Sequence, residues 1–462
     1  PTPLLFKSGR VITATDDYAA DVYCAGETIS RIEKSIDPRT CAGGTQTIDA
    51  AGKYLFPGFI DPHVHIYLPF MGTYAKDTWE TASRAALVGG TTTLIEMICP
   101  GKTEDPMAAF ELWLSKAKGV AACDFSFHMG VTRWDSASEQ AFREIVKRGV
   151  RSFKVFLAYK GALGVDDHEL YQTLKLAKEL GVVVTAHCEN ETLVDERQKE
   201  LLAAGKVGPQ WHEPSRPVQV EAEGVHHLMT FAELTGAEVY IVHTSCAEAV
   251  GSAVAGMAKG VRVHIETVIP YLTLDKTYAE KPDFEGAKYV MSPPIREKKH
   301  QDFLWDALRT RLVSTVATDH APFDFETQKA MGKTAFTKIP NGIPSVENRV
   351  DLLYTYGVAT GRISLNTFVD AASTRAARIF GLVGKGTIAV GADADIVVYD
   401  PTYRGTISAK THLMATDYNA FEGWELKGRS SVVTVRGEVM VRDGKFVGNL
   451  GRGRLAPRVA GG

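Results

Sequence analysis

The chain is poor in cysteine, with six among 462 residues (Cys24, Cys41, Cys99, Cys123, Cys188 and Cys246) and no short paired spacing between them. That excludes a disulfide-stapled scaffold and a cysteine zinc site, and fits free thiols in a reducing compartment. Charge of one sign is also lacking. The formal net charge is −3, which leaves no electrostatic footprint for nucleic acid or an anionic membrane. No apolar run approaches the length of a bilayer span, and the first residues lack the basic-then-apolar pattern of an export signal. A soluble, cytoplasmic protein is therefore expected. What is present, 45% hydrophobic and 23% charged residues, is an ordinary globular composition in a chain long enough for one large domain and a smaller one.

Residues 1–54 carry short strand-like runs at 4–7, 11–13, 21–24 and 28–32, punctuated by Gly9 and Gly26. They are too few to close a core alone. From residue 55 apolar strands alternate with helical stretches. Strands are expected at 54–62, 91–98, 124–131, 151–158, 181–188, 238–245, 262–268 and 311–318. Helices are expected at 78–88, 105–118, 136–147, 168–180, 220–234 and 247–259. Such alternation predicts a parallel sheet, and eight units predict a closed (β/α)₈ barrel of the α/β class. Strand-like runs return at 386–390, 394–399, 431–435 and 438–441, with Arg436-Gly437 as a turn between the last two. The expected division is a barrel at 55–380 inserted into one flanking β-sandwich built from 1–54 and 381–462. The last dozen residues, rich in Gly and Arg, read as an arm.

The chemistry lies at the strand ends. The first strand closes with His63 and His65, which point the same way because side chains alternate along a strand. Lys154 lies in the fourth strand, His187 ends the fifth, His243 the sixth and Asp319 the eighth. Each has a bland reading. A single histidine is more often hydrogen-bonded than metal-bound, Asp319 could cap a helix, and Lys154 could snorkel at the rim. Gathered at one barrel mouth, where such folds place their sites, they read as a metal centre. His320 is taken as a hydrogen-bonding neighbour. His128, His168, His226, His227 and His264 are taken as structural or surface, and Cys188 as packing.

Residues 56–65 (Phe-Pro-Gly-Phe-Ile-Asp-Pro-His-Val-His), 153–160 (Phe-Lys-Val-Phe-Leu-Ala-Tyr-Lys) and 186–190 (Ala-His-Cys-Glu-Asn) resemble the cyclic amidohydrolases. Residues 289–294 and 339–344 narrow the resemblance to the dihydropyrimidinase/hydantoinase branch, and it runs over essentially the whole chain. The resemblance implies two zinc ions. His63, His65 and Asp319 would hold one and His187 and His243 the other, with Lys154 bridging both as its carbamate (N6-carboxylysine). It implies that Tyr159 hydrogen-bonds the substrate carbonyl and its developing oxyanion, that Ser292 and Asn341 hold the ring amide through their backbones, and that Asp319 shuttles the proton. The implied reaction is hydrolytic ring opening of dihydropyrimidines or hydantoins by zinc-bound hydroxide to give N-carbamoyl amino acids, as in pyrimidine degradation, by a homotetramer whose C-terminal arm reaches a neighbour.

Dihydroorotases of this family generally continue the histidine pair into an arginine, where this chain has Tyr67, so a carboxylate substrate is disfavoured. Tyr159 argues against an allantoinase, and the intact set of six ligand positions against a non-catalytic scaffold relative. Leu68, Phe70, Met71, Ile98, Cys99, Phe156 and Leu157 form an apolar loop set that predicts tolerance of uncharged or bulky 5-substituents. Residues 265–272 and 411–414 depart from the family pattern and weaken the case for dihydrouracil as the natural substrate.

Overall fold

The computed structural model describes residues 1–460. Eight parallel strands follow one another around a barrel in chain order: Phe59–Val64, Thr91–Ile98, Asp124–Gly130, Ser152–Phe156, Val183–His187, Val239–Ile241, Val263–Val268 and Thr315–Ala317. They are apolar runs because both faces are covered; every residue of Thr91–Ile98 is buried. The ring closes where the first and last strands meet. His65 N donates to His320 O at 2.7 Å and Asp319 N to His63 O at 2.9 Å. Beneath this seam the buried Arg349 donates to Ile60 O (2.7 Å), Val316 O (2.8 Å) and Thr91 Oγ1 (3.1 Å), tying three strands together.

The helices lie outside and bury one face each. Ser136–Lys147 shows the logic: Asp135 caps it by accepting from Ser138 N, and Phe142, Ile145 and Val146 face the barrel. The expected helices appear within two residues of their limits, at Trp79–Val88, Pro106–Ala117, Ser136–Lys147, Asp167–Leu180, Val218–Thr235 and Ala247–Ala258. Others, among them Glu191–Ala203 and Lys298–Arg309, lie outside the expected set. The first is mostly polar, so its apolar periodicity is weak.

The strand expected at 54–62 is in fact two. Tyr54–Pro57 lies in the flanking sheet, and the chain crosses into the barrel at Gly58. There a Cβ would lie 2.1 Å from Thr92 Oγ1, so only glycine lets the two layers approach this closely. The flanking sheet is one continuous structure of nine strands. The N-terminal strands Leu4–Ile12, Asp17–Ala25, Thr28–Glu33 and Gln46–Asp49 join the C-terminal strands Ile396–Thr406, Glu425–Val435, Glu438–Arg442 and Lys445–Phe446. Tyr54–Pro57 is the seam, parallel to the first strand of the chain and antiparallel to Ile396–Thr406. Arg436 and Gly437 both have positive φ (44° and 75°), the conformation of a tight hairpin turn.

Two expectations fail. Residues 386–390 are not a strand, because Gly386 and Gly391 at φ 80° and 88° make the segment a loop, although Ile388 still packs in the sheet's apolar cluster. The C-terminal arm, through its described residues, packs on its own barrel rather than standing free of it. Ala456 N donates to Phe125 O (2.8 Å), and buried Arg458 donates to Phe380 O, Phe127 O and Ser152 Oγ.

Barrel and sheet are also held by a buried ion network. Asp124, at the start of the third barrel strand, receives Lys385 Nζ at 2.8 Å and Arg436 Nε at 2.9 Å, while Lys385 also reaches Asp395 at 2.8 Å and Asp393 at 2.9 Å. Replacing Lys385 with Met leaves these carboxylates buried against a single cation. The expected cost is about 3–5 kcal/mol, read as a fall in Tm, with an unchanged Tm refuting the role of the network.

Candidate active site

The six residues nominated from strand ends face one another at the C-terminal mouth of the barrel. His63 Nε2 and His65 Nε2 approach the same oxygen, Asp319 Oδ1, at 3.0 and 3.2 Å. Ring centres of His63 and His243 lie 5.4 Å apart, and those of His187 and His243 4.6 Å apart. Lys154 lies on the fourth strand, in register with Thr185 of the fifth, and its amine sits 4.6 Å from the Phe156 ring. One pocket is lined by His65, Lys154, His187, His243 and Asp319. His63 lies just behind it, fully buried.

Each polar group here has left water, and neighbours decide what form it takes. Burial disfavours the Asp319 carboxylate, but His63, His65 and His243 outweigh it and hold the group well below the usual carboxylate range. Burial pushes His65 down to about 4 and lowers His187 and His243 as well. On His63 burial is overcome by Asp319 and Glu266, which lift it to about 9. Burial lowers the Lys154 ammonium, against partial opposition from Asp319.

The site fits metal ions on the chemistry of its donors. His63 Nε2, His65 Nδ1, His243 Nδ1 and Lys154 Nζ are buried with no hydrogen-bond partner among the described residues. Buried polar atoms normally find partners, so several orphans within one site need explanation. Donor atoms of His63, His65 and Asp319 all lie within 4.8 Å of one another. A second acidic group, Asp124, Asp393 and Asp395, has equally close oxygens, but Lys385 already occupies its centre.

Facing these donors is a second set. Asn341 Nδ2 donates to Ser292 Oγ at 2.9 Å and to Tyr159 Oη at 3.3 Å. Phe70 meets Tyr159 edge-on at 5.5 Å, and Leu68 and Phe156 line the same pocket. Met71, Ile98 and Leu157 do not line it, whereas Cys99 does. Tyr67 turns away, its ring edge-on to Trp113 at 4.8 Å. Among the described lining residues Lys154 is the one cation. The backbone is strained where the site demands it: Tyr159, His243 and Asp319 have φ of 57°, 36° and 54°, which L-residues rarely adopt.

Sequence reasoning missed the residues that hold this set in place. Glu266, in the seventh strand, accepts from His63 Nδ1 (2.7 Å), His243 N (2.9 Å) and Tyr240 Oη (2.7 Å). With Nδ1 protonated, His63 must present Nε2 to the site. A glutamate inside an apolar strand was the available signal. Lys329, fully buried, donates to Val290 O (2.9 Å) and Gly342 O (2.7 Å), clamping together the loops that carry Ser292 and Asn341. His212 Nε2 donates to Met291 O at 2.8 Å and lies 3.2 Å from Ser292 Oγ. Glu96 accepts from Ile66 N and Tyr67 N and so fixes the loop that follows the histidine pair. His320 and His128 are structural: the first bonds Asp77 at 2.9 Å, the second Ser152 and Pro62 O. Cys188 is buried and bonded only to Ala186 O.

Comparison with known proteins agrees with this arrangement. The model of the amidohydrolase family matches residues 54–440. The chain is 47% identical to a D-hydantoinase of Geobacillus stearothermophilus, over 98% of this chain and 96% of the relative. It is 39% identical to a dihydropyrimidinase of Dictyostelium discoideum, over 98% and 90%. A solved D-hydantoinase (dihydropyrimidinase) from Thermus sp. superposes with a TM-score of 0.96 at 60% identity, covering 98% of this chain and 99% of that one. On sequence and fold together, the chain belongs to the amidohydrolase family.

Proposed function

We propose that the protein is a metal-dependent cyclic amidohydrolase that opens hydantoin and dihydropyrimidine rings to N-carbamoyl amino acids. The observation that carries this reading is Lys154: a lysine amine wholly out of water, without a hydrogen-bond partner, in one pocket with His65, His187, His243 and Asp319. Carbon dioxide adds to a neutral amine and a proton leaves. The product is an anion with two oxygens where a cation stood, and it answers the burial cost.

His63, His65 and Asp319 would hold one zinc ion, His187 and His243 the other, with the Lys154 carbamate between them. Bound there, the pair would supply a water activated at neutral pH and polarise a carbonyl oxygen. The protein's own groups do the rest. Asp319 is ionised and anchored beside both first-strand histidines, so it can take a proton from the attacking water and return it to the ring nitrogen as the C–N bond breaks. Water is thereby added across that bond, hydroxyl to carbon and proton to nitrogen. Tyr159 Oη, held by Asn341, is aimed where negative charge gathers on the carbonyl oxygen. Backbone groups of Ser292 and Asn341 would hold the ring amide.

Leu68, Phe70 and Phe156 give the substituent an apolar wall, and no lining arginine awaits a substrate carboxylate. Uncharged or bulky 5-substituted hydantoins therefore fit this pocket better than dihydroorotate. Among the described residues no helix is long and apolar enough to cross a membrane. Family likeness leads us to place the enzyme in the cytoplasm as a homotetramer, which light scattering of the purified protein tests.

Turnover should be seen with hydantoin, 5-substituted hydantoins and dihydrouracil and be near background with dihydroorotate. A panel in which dihydroorotate is the best substrate sinks this reading. Lys154→Ala is expected to lose both metal and activity, with partial rescue by a short carboxylic acid; unchanged turnover refutes the bridging role. Tyr159→Phe should lower kcat by about 10²–10³-fold, the usual loss of one oxyanion donor, with metal content unchanged.

A further inference from the structure

Between helix Glu191–Ala203 and helix Val218–Thr235 the chain makes a detour whose short helix, His212–Ser215, leads directly into Arg216. Arg216 is buried beside the site, although it belongs to neither the metal donors nor the pocket wall. Its Nη1 lies 2.5 Å from Glu189 Oε1. The same oxygen accepts from His187 Nε2 at 2.6 Å. On its other side the guanidinium lies over the Tyr159 ring, 5.4 Å from its centre. The Arg216 carbonyl is held in turn by Arg296, which pairs with Glu221 at 3.0 Å. Thus a single carboxylate oxygen and one guanidinium connect a histidine of the metal side to the tyrosine of the carbonyl side.

We propose that Glu189 and Arg216 form a positioning pair that sets both arms of the site together. Glu189 keeps the proton of His187 on Nε2, so Nδ1 is the atom left for a metal. Arg216 holds Glu189 in place and braces the face of Tyr159, fixing the height of its hydroxyl opposite the donors. Glu191, two residues on, accepts from Tyr159 N at 2.6 Å, so the turn after the fifth strand holds the tyrosine by its backbone while Arg216 covers its ring. The arrangement makes the phenol and the imidazole move as one unit. This inference rests on the roles given above to His187 and Tyr159.

A buried ion pair could instead serve the fold alone, and replacing such a pair with apolar groups often leaves stability unchanged. That difference is the basis of the test. Glu189→Leu, Arg216→Met and the double variant are compared with the wild-type holoenzyme for zinc retention against a chelator, kcat and KM on hydantoin, and Tm. Glu189→Leu should weaken zinc at one of the two sites by about 10–100-fold. Arg216→Met should keep two zinc ions and lose about 10–100-fold in kcat, with KM little changed. In the double variant no charge is left buried alone, so it should fold with a Tm near wild type and still show both losses. A double variant with wild-type zinc affinity and kcat, or one altered only in Tm, makes the pair a structural bridge and overturns the proposal. A wild-type protein that opens no ring and holds no zinc would overturn the ring-opening reading beneath it, a result separable because it needs no variant.

Discussion

The structure turns on the cost of taking the Lys154 amine out of water. An ammonium buried without a hydrogen-bonded counter-ion costs several kcal/mol; the Lys154 amine has no hydrogen-bond partner, and the Phe156 ring lies 4.6 Å from it. Strand register forces the side chain inward: Lys154 lies opposite Thr185, and a slip of one residue would turn the whole strand's core outward. Such a residue persists where chemistry needs it. Two of the surrounding imidazoles are arranged on the same terms, the proton of His63 fixed by Glu266 and that of His187 by Glu189.

That support is rigid because it is built on regular elements and not on loops alone. Glu266 sits mid-strand, and Arg349 binds three strands through two backbone oxygens and the Thr91 hydroxyl. Lys329 fastens the two loops facing the metal donors with hydrogen bonds to backbone carbonyls. A catalytic constellation needs its atoms held within about half an ångström, and interior side chains locked by several partners achieve this better than surface ones.

How much was legible in the chain follows from the range of each signal. The barrel was readable because apolar strands and amphipathic helices are local patterns, and the site because its donors end strands whose order fixes where they meet. Pro57-Gly58 defeated the reading of the first strand: the apolar run continues unbroken through a point where the chain changes sheet. Residues 386–390 had strand composition, but the glycines bracketing them adopt positive φ. The supporting residues were hidden for a different reason. Glu266 meets His63 across 203 positions, and Arg216 meets Glu189 across 27, with no spacing rule to connect them. Arg458 looked like part of a free tail because charge and glycine suggest solvent, whereas it is capped by four acceptors at the barrel floor.

The seam strand Tyr54–Pro57 has a temporal consequence. Its partner, Ile396–Thr406, lies some three hundred residues later, and the floor of the barrel is completed by Ala456 and Arg458 near the end of the chain. During synthesis the first strands therefore emerge with an unpaired edge and stay that way until Ile396–Thr406 has been made. Such long-range closure is slow, and exposed strand edges invite association with other chains. The interleaving that makes the finished enzyme one inseparable body also makes the nascent chain dependent on protection until residues 396–458 have been made.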